Sequence, residues 1–108
     1  MITGTIVLIP FPFAELSNVK VRPALVVCET KDKYGDLILC AISSVLPVTF
    51  SSFEIAIHPN QLNKLRVPSV LKVDRIVTLK KEAVITTLGT LSDSEINLFK
   101  IKFKDLVS

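Results

Sequence analysis

The 108-residue sequence contains no tryptophan, one tyrosine, one histidine and two cysteines, and each scarcity excludes a class of function. Modules that grip proline-rich peptides line their grooves with aromatic rings. One tyrosine and six phenylalanines, several of them needed for a core, leave too few. Cys28 and Cys40 form no C-x2-C pair, and His58 cannot complete a zinc site with them, so no metal and no cofactor is expected. The cysteines read as small buried hydrophobes of a reducing compartment. His58, at a strand end before Pro59, has no catalytic partner placed by the sequence and reads as a surface group. The apolar runs LILCAI and IVLIPFPFA fall well short of the ~18–20 residues of a spanning helix. The opening MITGTIVLIP has no basic segment ahead of its apolar run, which argues against a signal peptide. A cytoplasmic protein without a membrane partner is expected, built as one domain over residues 1–108.

What is present is apolar. Hydrophobic residues make up 49% and charged residues 21%, with a mean hydropathy of +0.53. That is more apolar surface than one small core hides, and a self-complementary homodimer face is the simplest use for it. The net charge of +3 permits a polyanionic partner, without the dense basic stripe of a duplex-DNA binder.

Strands dominate the first two-thirds. Thr5–Phe11 is apolar and β-branched, and the polar loop FAELSNVKV follows. Arg22–Glu29 and Asp36–Ser43 flank the turn TKDKYG; Phe53–His58 alternates and stops at Pro59. NQLNKL suits one helical turn. Ser69–Asp74 and Ile76–Leu79 read as further strands with a kink at Arg75. Short strands at this spacing predict a small, strongly bent sheet or barrel. The C-terminus differs: Ser92 and Glu95 have capping-box spacing. Ile96, Phe99, Phe103 and Leu106 then share one helical face, with Lys100, Lys102 and Lys104 largely outside it.

One position stands out. Arg22 opens an apolar strand and is stiffened by Pro23, which biases it towards extended backbone. A hairpin around Thr30–Gly35 sets Glu29 opposite Asp36, Val27 opposite Ile38, Leu25 opposite Cys40 and Ala24 opposite Ala41. Arg22 then lies opposite Ser43, on the same face. In that register Cys28 is opposite Leu37, so the two cysteines fall on opposite faces and no disulfide forms. A fixed guanidinium suits a phosphate, and a salt bridge to Glu15, Glu29 or Asp74 suits it too. The residues alone leave both open.

The ordered blocks GTIVLIPFPF, RPALVV, LCAISS, PSVLKVDRIVTL and LGTLS before a terminal helix resemble the MazF/PemK family of toxin ribonucleases, from Gly4 to Leu106. The resemblance implies a compact SH3-like barrel, mainly β with a C-terminal helix, assembled as a homodimer. It implies metal-independent cleavage of single-stranded RNA at short motifs, and a cognate antitoxin whose disordered tail covers the active groove. DNA would be met only indirectly, through that antitoxin. Arg22 matches the family's catalytic arginine, Ser43 stands where members carry threonine or serine, and Asp74 falls where some relatives use a catalytic aspartate. An ordinary ion pair of Asp74 with Arg75 or Lys72 is the plainer alternative. Lys72 replaces an arginine, the GD opening is replaced by Gly4-Thr5, and the first loop carries no histidine. Ser17, Asn18, Lys20 and Lys72 are candidate RNA contacts. RNA brings its own nucleophile, the 2′-hydroxyl, so an enzyme need only position the attack, move a proton and stabilise phosphoryl charge. A gyrase-poisoning toxin on the same fold is the rival reading; those toxins feature a C-terminal tryptophan, and this chain ends DLVS.

Overall fold

The computed structural model describes residues 1–10 and 20–108. The elements are β1 (Thr5–Pro10), β2 (Val21–Glu29), β3 (Leu37–Ser43), β4 (Glu54–Ile57), β5 (Ser69–Leu79), a 3-10 turn (Lys81–Ala83), β6 (Thr86–Thr90) and α1 (Asp93–Asp105). The strands form one antiparallel sheet in the order β4-β5-β3-β2-β1-β6, curled into a half-barrel with the helix against it, as the mainly β expectation required. The edge strands β4 and β6 are not neighbours. Instead the loop after β4 reaches across, and the Thr90 N–H donates to the Leu62 carbonyl at 3.0 Å. A Cβ on Gly89 would stand 2.2 Å from that Leu62 oxygen, so only glycine lets loop and strand approach. β6 was not among the expected strands. Its sequence TTLGT is short and carries a glycine, which strands normally disfavour.

The helix forms where its signals lie. Ser92 and Glu95 exchange a capping box, with Ser92 N–H donating to the Glu95 carboxylate at 3.0 Å and Glu95 N–H donating to Ser92 Oγ at 3.3 Å. Phe99 is fully buried against Leu25, Cys40, Ile42, Leu71 and Val73, with Ile96 and Phe103 flanking it. Burial of a side chain this size contributes about 1.5–3 kcal/mol. Lys100 and Lys104 are exposed, whereas Lys102 turns back so that its ammonium donates to the Ser52 carbonyl at 2.6 Å. The sheet's other face packs Val7, Ile9, Ala24, Val26, Leu37 and Leu39.

Two bulges revise the expected pairing. Between β2 and β3 the pairs Ala24–Ala41 and Leu25–Cys40 occur as expected, and a bulge at Val27 then sets Cys28 opposite Ile38 and Glu29 opposite Leu37. The cysteines are therefore not on opposite faces: Cys28 packs against the same cluster that contains Cys40. Both are free thiols. The shift turns the consecutive apolar residues Val27 and Cys28 towards one core and removes the like-charged pair Glu29–Asp36. The second bulge lies in β5. One strand replaces the expected two, and Val73–Arg75 loops out between the pairs Cys40–Ile76 and Ala41–Lys72. The Val73 N–H is not orphaned there; it donates to the Phe53 carbonyl at 2.9 Å.

Candidate active site

Arg22 pairs with Ile9 of β1, and the β2–β3 ladder runs to Ala24–Ala41. The same register continued by two residues sets Arg22 across from Ser43, which pairs with Val70 of β5. Strand alternation puts Arg22 and Ser43 on the face of Ala24 and Ala41. Lys72, paired with Ala41, shares that face. Three residues from three strands thus converge on one side of one sheet end. Ser43 Oγ accepts a hydrogen bond from the Val45 N–H at 3.1 Å, which fixes the hydroxyl oxygen and leaves its proton to be donated outward. Among the described residues no carboxylate forms an ion pair with Arg22: Glu29 is held by the N-terminal amine and by Lys81. Glu15, Ser17 and Asn18 lie outside the described residues, and Lys20 is exposed just before β2.

A groove of about 430 Å³ opens at this end of the sheet. Its lining is apolar at Leu8, Pro23, Ile42 and Leu88 and polar at Ser44, Lys64 and Arg66. Leu8, Pro23 and Ile42 alternate with Ile9, Arg22 and Ser43, so it opens on the sheet face opposite Ser43 and Lys72, and Arg22 borders it from the strand end. Ser43, Lys72 and Asp74 do not line it; the cations that do, Lys64 and Arg66, are ones that sequence reasoning missed. Lys64 and Arg66 are exposed on either side of buried Leu65, in a loop whose sequence LNKLR carries no periodic signal for them.

The loop that carries them is built around Asn63, which is fully buried. Its Oδ1 accepts from the N–H groups of Asn60 at 3.1 Å and Leu65 at 3.0 Å. Its Nδ2 donates to the His58 carbonyl at 2.8 Å. Asn60 Oδ1 in turn accepts from the N–H groups of Leu62 and Asn63. The helical turn expected in NQLNKL is reduced to a single bond from Lys64 N–H to the Asn60 carbonyl, 3.1 Å. Lys64 itself has φ +61°, a left-handed conformation that costs a residue bearing a Cβ ~1–2 kcal/mol.

Asp74 sits exposed in the β5 bulge. Its nearest chemical consequence is at Cys40, where burial first and the Asp74 charge second push the thiol up to about 12. That thiol stays protonated and is no nucleophile. His58 is exposed and contributes only its carbonyl, to Asn63. Among the described residues no three His, Cys, Asp or Glu side chains cluster as metal ligands, and no helix is long and apolar enough to cross a membrane.

Residues 3–107 match the model of a family described as PemK-like, MazF-like toxin of type II toxin-antitoxin system. No curated protein sequence matches the chain. Among solved structures, an endoribonuclease in complex with its cognate antitoxin from a mycobacterial species superposes with a TM-score of 0.76 at 14% identity, covering 99% of this chain and 94% of that one. The Mycobacterium tuberculosis toxin MazF-mt6 gives a TM-score of 0.69 at 15% identity, with 95% of each chain covered. MazF from Deinococcus radiodurans gives 0.67 at 21% identity, covering 97% of this chain and 93% of that one. At such identities these structures establish the shared fold.

Proposed function

The chain belongs to the PemK-like, MazF-like toxin family of type II toxin–antitoxin systems, and on that premise we propose that it is an endoribonuclease cleaving single-stranded mRNA at short sequence motifs. The observation that carries this reading is Arg22, half-buried at a strand end, on one face with Ser43 and Lys72 and without a carboxylate partner among the described residues. A guanidinium in that setting is matched to a phosphate.

The 2′-hydroxyl attacks the adjacent phosphate, the P–O5′ bond breaks, and the products carry a 2′,3′-cyclic phosphate and a 5′-hydroxyl. Arg22 stabilises the charge that builds on the phosphoryl oxygens and stands where it can protonate the leaving 5′-oxygen. Ser43, its oxygen held by the Val45 N–H, orients the 2′-hydroxyl or a phosphate oxygen. Lys72 adds positive charge on the same face, and Ser17, Asn18 and Lys20 contribute RNA contacts. Asp74 does not line the groove, so its assignment as the base rests on the resemblance alone. Asp74→Asn tests it: loss of the acidic limb of the pH–rate profile supports that role, and an unchanged profile removes it. Because the substrate supplies the nucleophile and protein cations supply the charge, the reaction is metal-independent.

The partners follow. A cognate antitoxin neutralises the enzyme and carries any contact with DNA. A second copy covers apolar side chains that one chain leaves exposed, among them Val45, Leu46 and Val48 after β3. The test is end-mapping of a long RNA incubated with purified protein in excess EDTA. Cuts at recurring short motifs, with 5′-hydroxyl ends that a polynucleotide kinase labels directly, are expected. Intact RNA overturns the function, and cleavage that disappears on chelation overturns the metal-free chemistry.

A further inference from the structure

Glycine would satisfy the left-handed backbone at position 64 without strain, yet lysine stands there with φ +61°. The Asn60–Asn63 network holds that conformation, and strain held in place by its surroundings gathers at functional sites. The loop so held puts Lys64 and Arg66 in the lining of the groove that Arg22 borders. Neither cation forms an ion pair among the described residues, where the salt bridges gather at Glu29. The floor between them is aliphatic, from Leu8, Pro23, Ile42 and Leu88, a surface against which the flat face of a base can lie. Separate cations around an apolar floor match a strand that alternates phosphates with bases.

We infer that Lys64 and Arg66 are positioning residues that grip phosphates of the RNA strand flanking the one held at Arg22. This inference rests on the endoribonuclease reading and extends it along the substrate. The groove then sets how the strand threads past Arg22, and the scissile bond is chosen partly by what lies in it. Both residues act on binding, not on the charge that develops at the reacting phosphorus.

The experiment measures binding of a fluorescein-labelled oligoribonucleotide, 2′-O-methylated throughout so that it is not cut, across a salt series. Each phosphate contact to a single strand contributes about 0.7 to the slope of log affinity against log salt. The double variant Lys64→Gly with Arg66→Gln should lower that slope by about 1.4, while Lys33→Gln, in the distant β2–β3 turn, leaves it unchanged. Lys64→Gly alone should keep or raise the melting temperature, since it relieves the left-handed strain, and so separates a binding defect from misfolding. Lys64→Arg should restore the slope. In cleavage assays Arg66→Gln should raise KM while kcat stays within about twofold. Cleavage by the wild type with an unchanged slope in the double variant overturns this inference alone. So does a double variant that loses affinity only for a polyglutamate peptide, which would assign the groove to an acidic polypeptide. A wild-type protein that neither binds nor cuts RNA overturns the functional reading, and this inference with it.

Discussion

At one end of β2, Glu29 accepts hydrogen bonds from the Met1 amino group and from Lys81 Nζ, the latter at 3.0 Å. Nearby, Thr30 Oγ1 donates to Asp32 at 2.9 Å and accepts from the Asp36 N–H at 2.9 Å. At the other end, roughly 23 Å away along the strand, Arg22, Lys64 and Arg66 gather at one groove with no carboxylate among the described residues to neutralise them. Both ends face solvent and both carry charge. One end spends its charge on its own chain, tying the N-terminus and the 3-10 turn to the sheet; the other holds like charges together. Mutual repulsion is tolerated where an anionic ligand is to relieve it. Partnering, more than charge or exposure, separates the structural end of this strand from the functional one.

The largest test of that contrast is Arg22→Ala against Glu29→Gln. The arginine variant should lose ~10²–10³ in cleavage rate, about 3–4 kcal/mol of transition-state stabilisation, with a melting temperature near wild type. The glutamine variant should cleave normally. Ser43→Ala should cost less than Arg22→Ala, and the double variant less than the sum if both act on one phosphate. A collapsed melting temperature in Arg22→Ala would place Arg22 with Glu29 as a structural charge.

Asn63→Ala comes next. It leaves the N–H groups of Asn60 and Leu65 and the His58 carbonyl without their partner, at a cost of about 1–3 kcal/mol. It should also weaken RNA binding, because the loop presenting Lys64 and Arg66 loses its frame. Chemical denaturation together with the salt-series titration would show both effects. A stability loss with RNA affinity intact would detach the loop from the site.

The thiols report how tightly the strand pair is closed along its length. Cys28 is half-exposed at the Glu29 end and lines an open groove with Met1 and Lys31. Cys40 is buried at its centre. A disulfide reagent at pH 8 should label one thiol per chain quickly and the second only on unfolding. Because burial raises the Cys40 pKa to about 12, its contribution to stability is complete below the unfolded value near 9.0. It is lost as pH rises from there towards 12. Equal labelling of both thiols in the native protein would mean that the centre of the pair opens.

The smallest effect belongs to Glu29 itself. The N-terminal ammonium, and after it Lys81, hold its carboxyl below the usual carboxylate range. A depressed carboxylate stabilises the fold above its unfolded pKa of 4.5 and loses that contribution as pH falls through the folded value. Glu29→Gln should therefore melt slightly below wild type at pH 7, and the two curves should converge in acid. A difference that persists in acid would show that the side chain's packing, not its charge, ties the ends together.

Local physics was legible in the sequence. The capping box at Ser92–Glu95, the Phe99 stripe and the alternation of the strands each depend on residues a turn or a pleat apart, and each is found where that periodicity puts it. The central register from Ala24 to Val26 was legible too, from pairing the two apolar runs about the Thr30–Gly35 turn. Tertiary structure decided the rest. The bulge at Val27 reversed the relation of the two cysteines, since two adjacent apolar residues were drawn into one core at the expense of strict alternation. β6 became a strand because Thr86–Thr90 pairs along β1, with Gly89 letting the Leu62 carbonyl reach Thr90 beside it, a match between distant segments that no local pattern encodes. For the same reason Lys64 and Arg66 read as loop cations in the sequence. Only the closure of the curled sheet by that loop brings them to the groove beside Arg22.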